Sequence, residues 1–162
     1  SQQSSALIDL QEEHFTAGCP LWLPSGTLVL ANKVKLVNTA RRIGIALVHV
    51  RHVSQNPNAS MFAHKENILN SFVMFRPWTG SMRYKILLGA FYDNDLDTFL
   101  HSLEATHLFL CGLLSFMCAA TTACEVYARG YSVLFVRNAT ASIPISGVSA
   151  EMIHKVVCAI QG

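Results

Sequence analysis

Cys118, Lys85 and Asp9 are the residues of this 162-residue chain whose types and positions could together perform covalent chemistry. A cysteine thiolate is a strong nucleophile near neutral pH, a carboxylate can take the thiol proton and later return it to a leaving group, and an ammonium can hold the thiolate between those events. Cys118 follows an apolar run and a turn and opens a helix, where free backbone N–H groups and the helix dipole favour a thiolate. Cys111 lies inside the apolar run and Cys124 inside the helix, which are packing positions, and Cys19 and Cys158 have no comparable setting. Asp9 closes the apolar run Ser5–Leu10, and Lys85 falls in the short strand-like segment Met82–Ile86. Singly, each has an ordinary explanation: an acid after a strand caps a turn, a lysine is solvated, and a cysteine among apolar residues packs. Jointly they complete one mechanism.

The elements that must position them read as alternating strands and helices. Ser5–Leu10, Ile45–Val50, Thr106–Cys111 and Tyr131–Val136 are short, largely apolar runs, the pattern of strands buried on both faces, and Met82–Ile86 is a candidate short strand carrying Lys85. Between them, helical spacing covers Leu28–Ile43, with Thr27 as a candidate cap, and Leu96–Leu103, capped by Asn94 or Asp95. It also covers Cys118–Ala128, stopped by Gly130, and Ser149–Ile160, with Ser149 as its cap. Gly112–Met117 reads as a turn, and the segment 51–80 is irregular and long enough to suggest a functional loop. The expectation is one α/β domain over residues 1–162. It is a three-layer, doubly wound, mainly parallel sheet of about five to six strands with helices on both faces. In such sheets ligands sit outside the carboxyl ends of the strands, where Asp9, Lys85 and Cys118 fall.

Composition narrows the partners. Hydrophobic residues make up 51% and charged residues only 14% of the chain, against about 25% charge in a typical soluble domain. That shortfall predicts further surface burial in a homo-oligomer, a dimer or tetramer. Net charge is +2 with no basic run, so nucleic acid is not an expected partner. The five cysteines are odd in number and contain no C-x-x-C pair, which points to a reducing, cytoplasmic setting. The N-terminal segment lacks the basic region and apolar stretch of a signal peptide. The uncharged stretch Leu108–Cys124 is shorter than the roughly 20 residues of a membrane span and contains Gly112, Ser115, Thr121 and Thr122, so no membrane association is expected.

Three segments, in order, resemble those of a known family. Cys111–Tyr131 (CGLLSFMCAATTACEVYARGY) is similar to a G-x-x-T-x-x-C-V-x-x-T-A signature followed by a G-Y strand start. Ala6–Gln11 (ALIDLQ) is similar to the family's first strand with its aspartate, and Lys85–Phe91 (KILLGAF) to its lysine followed six residues later by phenylalanine. Val50-Arg51-His52 fits the end of its second strand. The family is the isochorismatase-like cysteine hydrolases, which includes nicotinamidases, N-carbamoylsarcosine amidohydrolases and isochorismatases. Ser81, Ser115 and Asn138 stand where it commonly has Glu, Thr and Asp.

The resemblance implies that Asp9 takes the proton of Cys118, that the thiolate beside Lys85 attacks a small amide or ureide, and that a thioester forms and is hydrolysed. It implies an oxyanion hole made by the backbone N–H groups of Leu114 and Cys118, with a cis bond between Leu113 and Leu114. Phe15, His52 and Phe91 are the expected substrate-binding residues, for a small-molecule substrate; Trp22, Trp78 and Tyr92 are further aromatics near the site. Nicotinamidases hold zinc with an Asp-x-His and another histidine. Here the corresponding region offers His49, His52 and His64 without a D-x-H, and His49 and His52 point to opposite faces of a strand. No metal and no other cofactor are expected. Two other functions compete: vinyl ether hydrolysis, for which the thiol is dispensable, and a non-catalytic binding paralogue.

Overall fold

The structure, a computed structural model, describes residues 2–8, 11, 14–62 and 80–162. In chain order the elements are β1 (Gln2–Ile8), α1 (Gly26–Arg42), β2 (Ala46–His52), β3 (Gly80–Lys85) and α2 (Leu96–Ser102). They continue with β4 (Ala105–Leu113), a π-helical turn Ser115–Ala119 leading into α3 (Ala120–Ala128), β5 (Ser132–Ala141) and α4 (Ala150–Gln161). The five strands form one sheet in the order β3-β2-β1-β4-β5, and every neighbouring pair is parallel.

This order creates the place where a site can form. The chain builds outward from β1 through β2 to β3, then crosses back to lay β4 on the other side of β1. The connections therefore part at the carboxyl end of β1, the point where open α/β sheets bind ligands. Ile8 is level with Val50 of β2 and Gly112 of β4, and His52 is level with Lys85 across β2 and β3.

Alternation along the strands divides the core between two faces. Leu47, Cys111 and Ala139 pack with Val37 and Ala40 of α1. Val48, Val50, Leu108 and Leu110 turn the other way and pack with Leu96 and Leu100 of α2, Ala123 and Val126 of α3, and Cys158 of α4. Each fully buried Val or Leu contributes roughly 1.5–3 kcal/mol of transfer free energy. A third cluster, Leu23, Val29, Leu113, Leu114 and Ala141, closes the carboxyl end of the sheet beneath the start of α1.

Several boundaries differ from the sequence expectation for identifiable reasons. Helix α1 begins at Gly26 after Ser25, so Thr27 lies inside it and is not its cap. A Cβ at Gly26 would lie 2.9 Å from the Phe15 ring, so the glycine lets the helix start close against that side chain. For α2 the N-cap position falls on Asp95, whose carboxylate accepts no helix N–H and instead pairs with Arg83 at 2.5 Å, while Oδ1 of Asn94 just before it accepts the Leu96 N–H at 3.0 Å. Ser149 does cap α4, accepting the Met152 N–H at 3.2 Å, and Gly130 takes the left-handed conformation that ends α3 (φ +85°). Strands β4 and β5 run further than the apolar runs suggest, because Gly112 and Leu113 continue to pair with Thr140 and Ala141. The uncharged stretch 108–124 is thereby split between a strand and a helix. No helix among the described residues is long and apolar enough to cross a membrane.

Candidate active site

Cys118 is placed by the turn that joins β4 to α3. The peptide bond between Leu113 and Leu114 is cis, as the resemblance implies. The Leu114 carbonyl then accepts the N–H groups of both Met117 and Ala119, each at 3.2 Å, which winds residues 115–119 into a wide π turn. Cys118 sits in this turn at the amino end of the helix, with 7% of its surface exposed. The Ser115 hydroxyl bonds to that of Ser142, and both are buried, so the turn is tied to the chain leaving β5. The departure from Thr to Ser at position 115 therefore keeps a hydroxyl that is in use.

Lys85 ends β3 and is 1% exposed. Its ammonium donates to the carbonyls of Leu87 at 3.2 Å and Leu88 at 3.0 Å and lies 3.3 Å from Nδ1 of His52. A buried charge requires such partners. An ammonium has donors only, so Nδ1 of His52 accepts and a neutral ring carries its proton on Nε2. The Gln11 amide fixes the backbone of His52 from the other side: Nε2 donates to the His52 carbonyl at 3.0 Å and Oε1 accepts its N–H at 3.2 Å. The chain just past β1 is thus fastened to the end of β2.

A small cavity of about 110 Å³ joins these parts. It is lined by Cys118, Met117, Leu113 and Leu114 from the turn and by His14, His52, Phe62, Leu21, Met61 and Leu88. The His52 and Phe62 rings lie 4.7 Å apart, tilted by 31°, and His14 is 6.0 Å from Phe62. An apolar chamber lined by one thiol and two imidazoles suits a small, flat group with a polar edge.

The expected residues separate into groups. Cys118, His52 and Leu114 meet at the cavity, and Lys85 touches it through His52. Phe15 stands behind the wall, its ring edge-on to His14 at 6.4 Å, packed in the cluster around Leu113 and Leu114. Phe91 is placed elsewhere: it is buried in the core on the α2–α3 side, with the Arg129 guanidinium 4.4 Å from its ring centre. Trp22 and Tyr92 are exposed. Asp9, His64 and Trp78 lie outside the described residues. His14, Gln11 and Phe62 were not singled out in the sequence. Gln11 closes the ALIDLQ segment, which is the one signal that could have drawn attention to it.

The other cysteines are set apart electrostatically or by position. Burial pushes the Cys111 thiol up to about 12, opposed only by the charge of Lys33, and burial likewise raises Cys158 against the influence of Arg137. Cys124 is exposed on the flank of α3. His49 and His52 do fall on different sides of β2: His49 turns toward Arg41 of α1, and burial first, then Arg41, lowers its pKa to about 4. Among the described residues no three His, Cys, Asp or Glu side chains converge as a metal site would require.

Comparison with known proteins places these features in a family. The family model for the Isochorismatase domain matches residues 6–156. An uncharacterized isochorismatase family protein of Bacillus subtilis, YddQ, is 26% identical over 153 residues, covering 91% of this chain and 84% of that protein. The secreted isochorismatase effector Isc1 of Verticillium dahliae is 26% identical over 160 residues, covering 98% of this chain and 84% of that protein. Among solved structures, N-carbamoylsarcosine amidase from Thermoplasma acidophilum superposes with a TM-score of 0.76 at 20% identity, covering 98% of this chain and 94% of that one.

Proposed function

The chain belongs to the isochorismatase family of hydrolases, and on that premise we propose that it is a cysteine-dependent hydrolase that cleaves a C–N bond of a small amide or ureide. The observation that carries this reading is the position of Cys118, in the turn at the carboxyl end of β4 and lining a small apolar cavity together with His52, whose Nδ1 lies 3.3 Å from the Lys85 ammonium. A vinyl ether hydrolase has no need of a thiol there.

The proposed reaction begins with transfer of the Cys118 proton to Asp9, which directly follows β1 in the sequence. The thiolate adds to the substrate carbonyl carbon, and the oxyanion so formed accepts the backbone N–H groups of Leu114 and Cys118, donors worth about 10²–10³ in rate each. Asp9 returns its proton to the departing amine as the C–N bond breaks, leaving a thioester on Cys118. Water then gives a proton to Asp9 and adds to the thioester, and collapse releases the acid and restores the thiol. The neutral Nε2–H of His52 is the donor that would orient the substrate's polar edge. Free cysteines in odd number fit a reducing compartment, and a cytoplasmic location is proposed on that ground.

The test is an ammonia-release screen over nicotinamide, carbamoyl amino acids and biuret, with isochorismate followed separately. Hydrolysis of a C–N substrate should fall by at least about a thousandfold in Cys118→Ser and in Lys85→Met. Turnover of isochorismate alone, unaffected by Cys118→Ser, would replace this reading with vinyl ether hydrolysis.

A further inference from the structure

We infer that Thr122, Glu125 and Arg129 are positioning residues, holding Lys85 in place through the loop Leu87–Phe91; the inference rests on the reading of Cys118 and Lys85 as a catalytic pair. The argument starts from the ammonium. Two of its acceptors are the carbonyls of Leu87 and Leu88, so the loop after β3 fixes where the charge stands. That loop is in turn fastened to α3. The Ala90 N–H donates to the Thr122 hydroxyl at 3.1 Å, with both residues buried. The Phe91 N–H donates to Oε2 of Glu125 at 3.3 Å. The Arg129 guanidinium lies over the Phe91 ring and also donates to the Glu125 carbonyl at 3.1 Å.

Thr122, Glu125 and Arg129 are spaced i, i+3 and i+7, one face of a helix. Successive residues of the loop therefore meet successive turns of the helix. Gly89 makes the approach possible, since a Cβ there would overlap the Glu125 carboxylate. Asn94 completes the clamp by donating to the Ala90 carbonyl at 2.8 Å and the Tyr84 carbonyl at 3.1 Å. Helix α3, which continues directly from the π turn that holds Cys118, thus also sets the position of Lys85, so that nucleophile and ammonium share one support. Small misplacements of such groups are costly in rate.

Iodoacetamide alkylation of Cys118 at neutral pH, followed by peptide mass, tests this without any substrate. An ammonium displaced from a thiolate costs about one unit of thiol acidity, roughly a tenfold fall in rate. Glu125→Ala and Thr122→Val should each slow Cys118 by about that factor, and Glu125→Gln, which keeps an acceptor oxygen, should restore the rate. Gly89→Ala should act like Glu125→Ala by displacing the carboxylate, and should add nothing in the Glu125→Ala background. Tyr131→Phe removes the hydrogen bond from the Tyr131 hydroxyl to Asp97 and serves as a stability control with unchanged alkylation. Wild-type rates in Glu125→Ala and Thr122→Val beside a slow Lys85→Met overturn the positioning role alone. A slow Glu125→Ala that Glu125→Gln does not restore overturns it as well. If Lys85→Met also alkylates at the wild-type rate, the catalytic pair itself falls.

Discussion

His49 shows how a single side chain can record its surroundings in the pH dependence of folding. Its imidazole is buried beside Arg41 and titrates at about 4, against about 6.5 in an unfolded chain. Between those values the unfolded chain binds a proton that the folded chain refuses, so stability falls as pH falls through that window. Its full contribution, about 3 kcal/mol, is present above the unfolded value. Urea midpoints measured from neutral pH down to the acid side should therefore decline less steeply in His49→Gln than in the parent; identical slopes would sink the assignment. At this scale the chemical groups were the legible part of the sequence. Cys118 and Lys85 could be singled out because their types are reactive and they fall just after an apolar run and in a short strand-like segment, respectively. His14 and Phe62 could not be named, since loops bring them to the cavity without any periodicity. Phe91, an aromatic close to Lys85 in sequence and equally open to a pocket or a packing place, turns its ring under Arg129 and into the core.

At the scale of elements, two serines at chain turns carry different loads. Ser149 is exposed and caps α4 with one hydrogen bond, so Ser149→Ala should cost about 1 kcal/mol in a denaturation experiment and leave hydrolysis untouched. Ser142 is buried and holds Ser115 in the turn that carries Cys118. Ser142→Ala strands a buried hydroxyl, at a cost of about 1–3 kcal/mol, and should slow both hydrolysis and Cys118 alkylation. Equal effects on activity from the two variants would show that the Ser115–Ser142 link does not hold the turn. The strands and helices were readable because parallel strands buried on both faces leave continuous apolar runs, and helices leave a period. The π turn was not readable. It depends on the Leu114 carbonyl serving two N–H groups at once, and side-chain types do not encode that choice. Nor could the sequence show that Asp95, at the N-cap position of α2, would give its carboxylate to Arg83 and leave the helix N–H to Asn94.

For the whole molecule, we propose that an exposed apolar stripe serves as a contact between copies of the chain. Along α4, Met152, Val156 and Ile160 recur every fourth residue and are 55%, 49% and 75% exposed. Tyr127 of α3, 77% exposed, stands with Ile160 on the rim of a groove between the two helices. Soluble monomers rarely expose continuous apolar patches larger than about a few hundred Å², and obligate interfaces resemble a domain core cut in half. A homodimer joined through the α3–α4 face is the expected state, and a tetramer would follow if a second face pairs as well. Light scattering at micromolar concentration should give at least twice the chain mass of 17.8 kDa. Val156→Glu with Ile160→Glu should lower that mass by placing like charges across a two-fold contact, while far-ultraviolet circular dichroism stays unchanged. A monomer mass for the parent protein would remove the interface and leave the exposed stripe without an occupant. An oligomer indifferent to the double substitution would move the contact to another face.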